Sequence, residues 1–213
     1  MPRLSFSRRS LIATVLFFCF AGTPAWAWHS TEISGVFPPL DFQMTRVSDG
    51  KLVSATDFKG KVVLLYFGYT SCPDACPTAL LNMSDMLKSL GPRADDVRVL
   101  FVTVDPGRDT SELLKEYTGS FAPQVVGLRG TPDQLAGLAK RYRVSYSVER
   151  TPAGIAVTHS SAIYVFDRAG EPRLLFTGLA LPNAPIEPAL ADLRGLVTHG
   201  PNGSWWRRLL GGL

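Results

Sequence analysis

Cysteine and histidine are scarce in this chain, with three of each among 213 residues. That scarcity excludes a framework of several disulfides. A dense basic stripe is also missing. The formal charge is +4, but Arg3, Arg8 and Arg9 precede the first apolar run, no acid occurs before Glu32, and Arg207 and Arg208 sit near the other end. The body between is close to neutral, which excludes a surface built for a phosphate backbone and so a nucleic-acid partner. No internal repeat or low-complexity tract appears. The first apolar run, Leu11 to Phe20, is short for a bilayer span of roughly 20 residues, and Pro24 closes it. What is present, 46% hydrophobic and 19% charged residues, suits one globular domain with attachments.

The N-terminus reads as an export signal over residues 1–27. Arg3, Arg8 and Arg9 form a positive region, Leu11 to Phe20 the apolar core, and Ala25-Trp26-Ala27 a cleavage site. Ser7-Arg8-Arg9-Ser10 also resembles a twin-arginine signal. Two outcomes stay open: cleavage after Ala27, or retention as an anchor. Cys19 lies inside the apolar core and is read as filler, so the mature chain holds a single cysteine pair in a compartment where disulfides persist. The expected location is the bacterial periplasm, either free or at the inner membrane. Residues 200–213 form a separate tail, whose Trp205-Trp206-Arg207-Arg208 suits a membrane interface or a partner groove, or simply packs on the domain.

Between these ends, residues 28–35 read as a loose N-terminus and 36–199 as the domain. Val36 to Phe42 looks like an extended arm, and Ser48-Asp49-Gly50-Lys51 a turn between short strands. Lys61 to Phe67 is a continuous apolar run, expected as a central strand buried on both faces. Helices are expected from Pro77 to Leu90, from Thr110 or Ser111 to Tyr117, from Thr131 to near Tyr142, and from Pro188 to Val197. Further strands are expected at Val97 to Val104, Val125 to Leu128, Ala162 to Phe166 and Arg173 to Thr177, the last two joined as a hairpin by Asp167 to Gly170. Alternating strands and helices closed by a hairpin and a helix give an α/β, thioredoxin-like fold with a mixed sheet and extra N-terminal strands.

Cys72 and Cys76 flank Pro73-Asp74-Ala75 between the central strand and a helix. Cys76 is expected at or near the helix N-terminus, where free N–H groups stabilise a thiolate. The same corner favours disulfide exchange and metal binding, because both need deprotonated sulfur. A plain structural cystine here would close too small a loop to stabilise by more than about 2 kcal/mol. A third ligand would separate redox from metal work. His159 precedes the Ala162 strand, and in a thioredoxin fold that loop end runs beside the cysteine turn; without the cysteines it would read more readily as a hydrogen-bonded packing residue. Two thiolates and an imidazole suit Cu(I), and the nitrogen also helps hold Cu(II). His29 would follow a cleaved N-terminus closely enough to chelate weakly with it, and His199 reads as a helix C-terminal cation.

Gly68-Tyr69-Thr70 followed by Cys72-Pro73-Asp74-Ala75-Cys76-Pro77, then Val104-Asp105-Pro106-Gly107-Arg108-Asp109-Thr110, then His159-Ser160, occur in that order. With these motifs the chain resembles the Sco/SenC family of copper chaperones over roughly Phe37 to Val197. The resemblance implies that Cys72, Cys76 and His159 bind copper and that Asp105 supports the site without ligating. Thr158 stands where many relatives have Asp before the histidine, and Ser71 where a larger polar residue is common. A missing carboxylate there would alter the histidine's orientation or its hold on oxidised copper.

The resemblance further implies a metallochaperone that delivers copper to the dinuclear centre of cytochrome c oxidase subunit II or prepares its cysteines. Such a protein would be served by an upstream copper donor and a thioredoxin-like reductant. The alternative from the residues is a thiol-disulfide oxidoreductase with incidental copper binding, its dithiol Cys72 and Cys76. Peroxidase chemistry and a non-catalytic interaction domain are weaker alternatives.

Overall fold

Residues Val62–Gly68 are apolar at nearly every position because both sides of their strand are covered. Val62, Leu64 and Tyr66 enter one core, while Val63, Leu65 and Phe67 enter another. Burying each such side chain contributes about 1.5–3 kcal/mol, enough to fix this strand as the centre of the sheet. The computed structural model describes residues 28–152 and 154–199. The signal segment 1–27 with Cys19, and the tail 200–213, lie outside the described residues.

In chain order the strands are β1 (Thr31–Glu32), β2 (Gln43–Arg46), β3 (Leu52–Ser54), β4 (Val62–Gly68), β5 (Val97–Thr103), β6 (Val125–Arg129), β7 (Tyr146–Thr151), β8 (Gly154–His159), β9 (Ile163–Phe166) and β10 (Pro172–Phe176). The helices are α1 (Ala75–Leu90), α2 (Ser111–Gly119), α3 (Pro132–Arg141) and α4 (Glu187–His199). Eight strands form one mixed sheet in the order β1-β10-β9-β4-β5-β6-β2-β3. β4, β5 and β6 run parallel, and the other pairings in this sheet are antiparallel. Leu80, Met83 and Leu87 of α1, Leu114 of α2 and Leu193 of α4 fill one core. Leu135 and Leu138 of α3 fill the other. The fold is thioredoxin-like, as expected. Among the described residues no helix is long and apolar enough to cross a membrane.

Parallel pairing decides where chemistry can sit. The register runs from Val62 opposite Val97 to Gly68 opposite Thr103, so β4 and β5 end together at one sheet edge. The loops that follow them are therefore neighbours, the usual place for a site in such sheets. Gly68 is required at this edge, because a Cβ there would lie 2.6 Å from Phe101 Cε2 and 3.0 Å from Cys76 Sγ.

One expectation fails. Residues 28–35 are tied down, not loose. Thr31 and Glu32 pair with Leu175 and Leu174, and Ile33 is buried. The fully buried carboxylate of Asp192 in α4 accepts from the His29 N–H at 3.0 and 3.1 Å and from the Ser30 N–H at 2.8 Å. The His29 ring is engaged there too, with Nδ1 3.0 Å from Asp192 Oδ1. A further hairpin, β7–β8, for which the sequence raised no expectation, forms a two-stranded sheet of its own. Its residues alternate between faces and stay largely exposed, so no apolar run announces it.

Asp192 holds three donor groups on residues 29 and 30. Asp192→Ala is expected to cost about 1–3 kcal/mol in urea unfolding and to expose the His29 and Ser30 amides to rapid hydrogen exchange.

Candidate metal centre

The turn after β4 is built to present one sulfur and bury another. The Cys72 N–H donates to Tyr69 O at 3.3 Å, and the Thr78 N–H donates to Asp74 O at 3.1 Å as α1 begins. The helix starts at Ala75, two residues before the expected Pro77. Pro77 still costs nothing, because first-turn N–H groups have no helical acceptor. The free N–H of Cys76 is spent on the other cysteine, donating to Cys72 Sγ at 3.3 Å. The helix start thus stabilises Cys72, not Cys76 as the sequence implied.

The two thiols, both free, are correspondingly unequal. Burial pushes the Cys76 thiol up to about 12, and the neighbouring Cys72 adds to the rise. Burial would also raise the half-buried Cys72 thiol, but the hydrogen bond from the Cys76 N–H, with further donors, outweighs it and holds Cys72 below the ordinary value.

His159 ends β8, directly opposite Tyr146. The hairpin base is closed by the Ser160 N–H donating to Ser145 O at 3.1 Å. Nδ1 of the ring lies 2.9 Å from Ser160 O. A carbonyl only accepts, so Nδ1 carries the proton and Nε2 keeps its lone pair. Nε2 lies 3.3 Å from Cys76 Sγ. Burial lowers the ring's pKa, which keeps it neutral at pH 7. Tyr66 and Tyr69 flank it edge-on, with centroids at 6.1 and 5.7 Å. Thr158 bonds to Ser147 at 2.8 Å on the opposite hairpin face. The ring's orientation therefore comes from the Ser160 carbonyl, and no carboxylate at position 158 is needed for it.

Among the described residues, Cys72, Cys76 and His159 form the one cluster of three donors, their atoms all within 4.8 Å of one another. Two sulfurs and one imidazole nitrogen are a soft set suited to Cu(I). Asp105 is not in that cluster. Its buried carboxylate pairs with Arg108 Nε, and its N–H donates to Thr103 Oγ1 at 3.0 Å.

The carboxylate that touches the cysteine turn is Asp109, which the sequence did not single out. It is fully buried and accepts from the Thr70 N–H at 3.1 Å, the Thr70 hydroxyl at 2.6 Å and the Thr103 hydroxyl at 2.5 Å. It ties the turn before Cys72 to the end of β5. Its place after a turn and just before the Thr110 helix cap carried no signal of this contact.

The family model described as SCO1/SenC matches residues 40–198. The chain belongs to the SCO1/SenC family. It is 34% identical over 145 residues to the SCO2-like protein of Rickettsia felis, covering 67% of this chain and 68% of that protein. It is 35% identical over 150 residues to Protein SCO2, mitochondrial, of Saccharomyces cerevisiae, covering 68% of this chain but only 48% of the yeast protein. Among solved structures, Bradyrhizobium japonicum ScoI with copper bound is similar at 39% identity and a TM-score of 0.65, over 73% of this chain and 97% of that one. The solution structure of apo Sco1 from Thermus thermophilus is similar at 31% identity and a TM-score of 0.70, over 82% of this chain and 99% of that one.

Two outcomes test this geometry. At neutral pH iodoacetamide should modify Cys72 first. In Cys72→Ser, the remaining Cys76 should still need a more alkaline pH to react than Cys72 does in Cys76→Ser, because burial is the largest cause of its rise, read by mass spectrometry. Asp109→Asn, which turns an acceptor of three bonds into a poorer one, should cost about 1–3 kcal/mol in urea unfolding.

Proposed function

We propose that the protein is a copper-binding assembly factor for cytochrome c oxidase. It delivers copper to the dinuclear centre of subunit II, or prepares that centre's cysteines. The observation that carries this reading is the unprotonated Nε2 of His159, 3.3 Å from Cys76 Sγ, which adds a third donor to the cysteine pair. Copper-bound ScoI from Bradyrhizobium japonicum is among its relatives. BsSco, which shares the fold, is described as a member of the Sco family of cytochrome c oxidase assembly proteins.

Copper is cargo in this scheme. Cys72 and Cys76 take Cu(I) as thiolates, and binding displaces the proton that burial otherwise keeps on Cys76. Cys72, the more exposed sulfur, is the face that an acceptor thiolate reaches, so transfer proceeds by stepwise exchange of ligands there. Asp105 acts through Arg108 and Asp109 through Thr70, both by holding the loops. Residues 1–27 carry the chain out of the cytoplasm into the periplasm, cleaved after Ala27 or kept as an anchor, and the tail 200–213 is a membrane or partner contact.

A second reading has its own support in the inequality of the thiols. Cys72 thiolate attacks a partner disulfide, forming a mixed disulfide and releasing one partner thiolate. Cys76 then attacks Cys72 sulfur, leaving a Cys72–Cys76 disulfide and the second partner thiol. A reductant must then restore the pair.

Reduced protein should take up one Cu(I) per chain. Cys72→Ala and Cys76→Ala should abolish uptake and His159→Ala should weaken it, measured by competition with a chromogenic chelator. Wild type that binds no Cu(I) sinks the copper reading. If His159→Ala supports oxidase assembly as well as wild type while either cysteine variant does not, the reductase reading prevails.

A further inference from the structure

Buried hydroxyls in this protein are generally paired. Tyr142 donates to Pro39 O at 3.0 Å, and Tyr164 donates to Tyr142 O at 2.8 Å. Among the described residues, the buried tyrosine hydroxyls with no partner are those of Tyr66 and Tyr117. Both belong to the core beneath the thiols. The Tyr66 ring is fully buried, packs at 5.9 Å on Phe101 and stands 6.1 Å from His159. Cys76 Sγ rests over Gly68 against the same cluster. Tyr66 leaves β4 on the same face as Gly68, the face that carries Cys76 Sγ, and Tyr117 stands beyond Phe101 with ring centroids 5.5 Å apart.

A neutral thiol is a weak acceptor, while a charged sulfur is a strong one. An unpaired donor costs stability in the resting state, yet here it stands next to a sulfur that must lose its proton to work. We propose that Tyr66 is a positioning residue that donates its hydroxyl hydrogen to the Cys76 sulfur when that sulfur is charged, as free thiolate or holding Cu(I). The inference rests on Cys76 being a working ligand, as in the function proposed above. Tyr66 is then a donor already aimed, so little reorganises when cargo arrives.

Full-length reduced Tyr66→Phe and Tyr117→Phe test this against Cu(I) and a chromogenic chelator, beside iodoacetamide labelling of Cys76 in a Cys72→Ser background. Tyr66→Phe should lower Cu(I) affinity about tenfold and slow Cys76 labelling. The metal-free thermal midpoint should hold or rise, because only a donor without an acceptor is removed. Tyr117→Phe should do less. Unchanged affinity and labelling, a metal-free midpoint that falls with them, or a larger effect from Tyr117→Phe overturns the proposal. Should the wild type bind no Cu(I), the copper reading fails, and the labelling arm still decides on Tyr66.

Discussion

Cys76 Sγ stands directly over Gly68, at the end of a strand buried on both faces. That close approach organises the site. Because β4 cannot shift, the turn that leaves it cannot shift either, and a side chain at position 68 would collide with Phe101 before it met the sulfur. The same edge is where β5 ends, which brings Asp105 and Asp109 alongside. Asp109 then converts adjacency into attachment, because its carboxylate bonds to Thr70 on one loop and to Thr103 on the other strand.

From this fixed base the two sulfurs acquire opposite characters. The first turn of α1 has free N–H groups, and the one belonging to Cys76 reaches back to Cys72. Helix geometry thus gives electrostatic support to the half-buried sulfur and denies it to the buried one. Burial does the rest at Cys76. One thiol is ready for partners and the other keeps its proton until something displaces it. This division suits metal capture and disulfide exchange equally, which is why the cysteines alone do not choose between them.

Much of this was legible in the sequence, for local reasons. The apolar run at 62–68 has no polar alternation, so burial on both faces was readable, and the turn with its cysteines follows directly. What escaped depends on contacts between distant residues. His29 and Ser30 are held by Asp192, 163 and 162 residues away, and nothing in the polar stretch 28–35 predicts that. Asp109 looked like a residue before a helix cap, and its role appears only once Thr70 is beside it. Asp105 was the reverse case, conspicuous at a strand end but turned toward Arg108. The hairpin at 146–159 escaped because its strands stay largely exposed and carry only a short alternation, Tyr146 with Val148 and Ile155 with Val157, rather than an apolar run.

That hairpin also explains why the histidine matters most. Cys72 and Cys76 belong to the main fold, where moving either means deforming the end of β4 or the start of α1. His159 belongs to a separate two-stranded sheet. The Ser160 carbonyl fixes which nitrogen faces the sulfurs, and Tyr66 and Tyr69 fix the plane of the ring. Neither constraint uses the hydrophobic core of the hairpin, which has almost none. The third donor is therefore oriented by its immediate neighbours, while its strand belongs to a hairpin that meets the domain core through Tyr146 and Val157. A cargo site needs this combination, because the same ligand set must be complete for capture and separable for release. Two donors on the turn and helix that follow β4 and one on a separate hairpin meet both demands with no change in the fold.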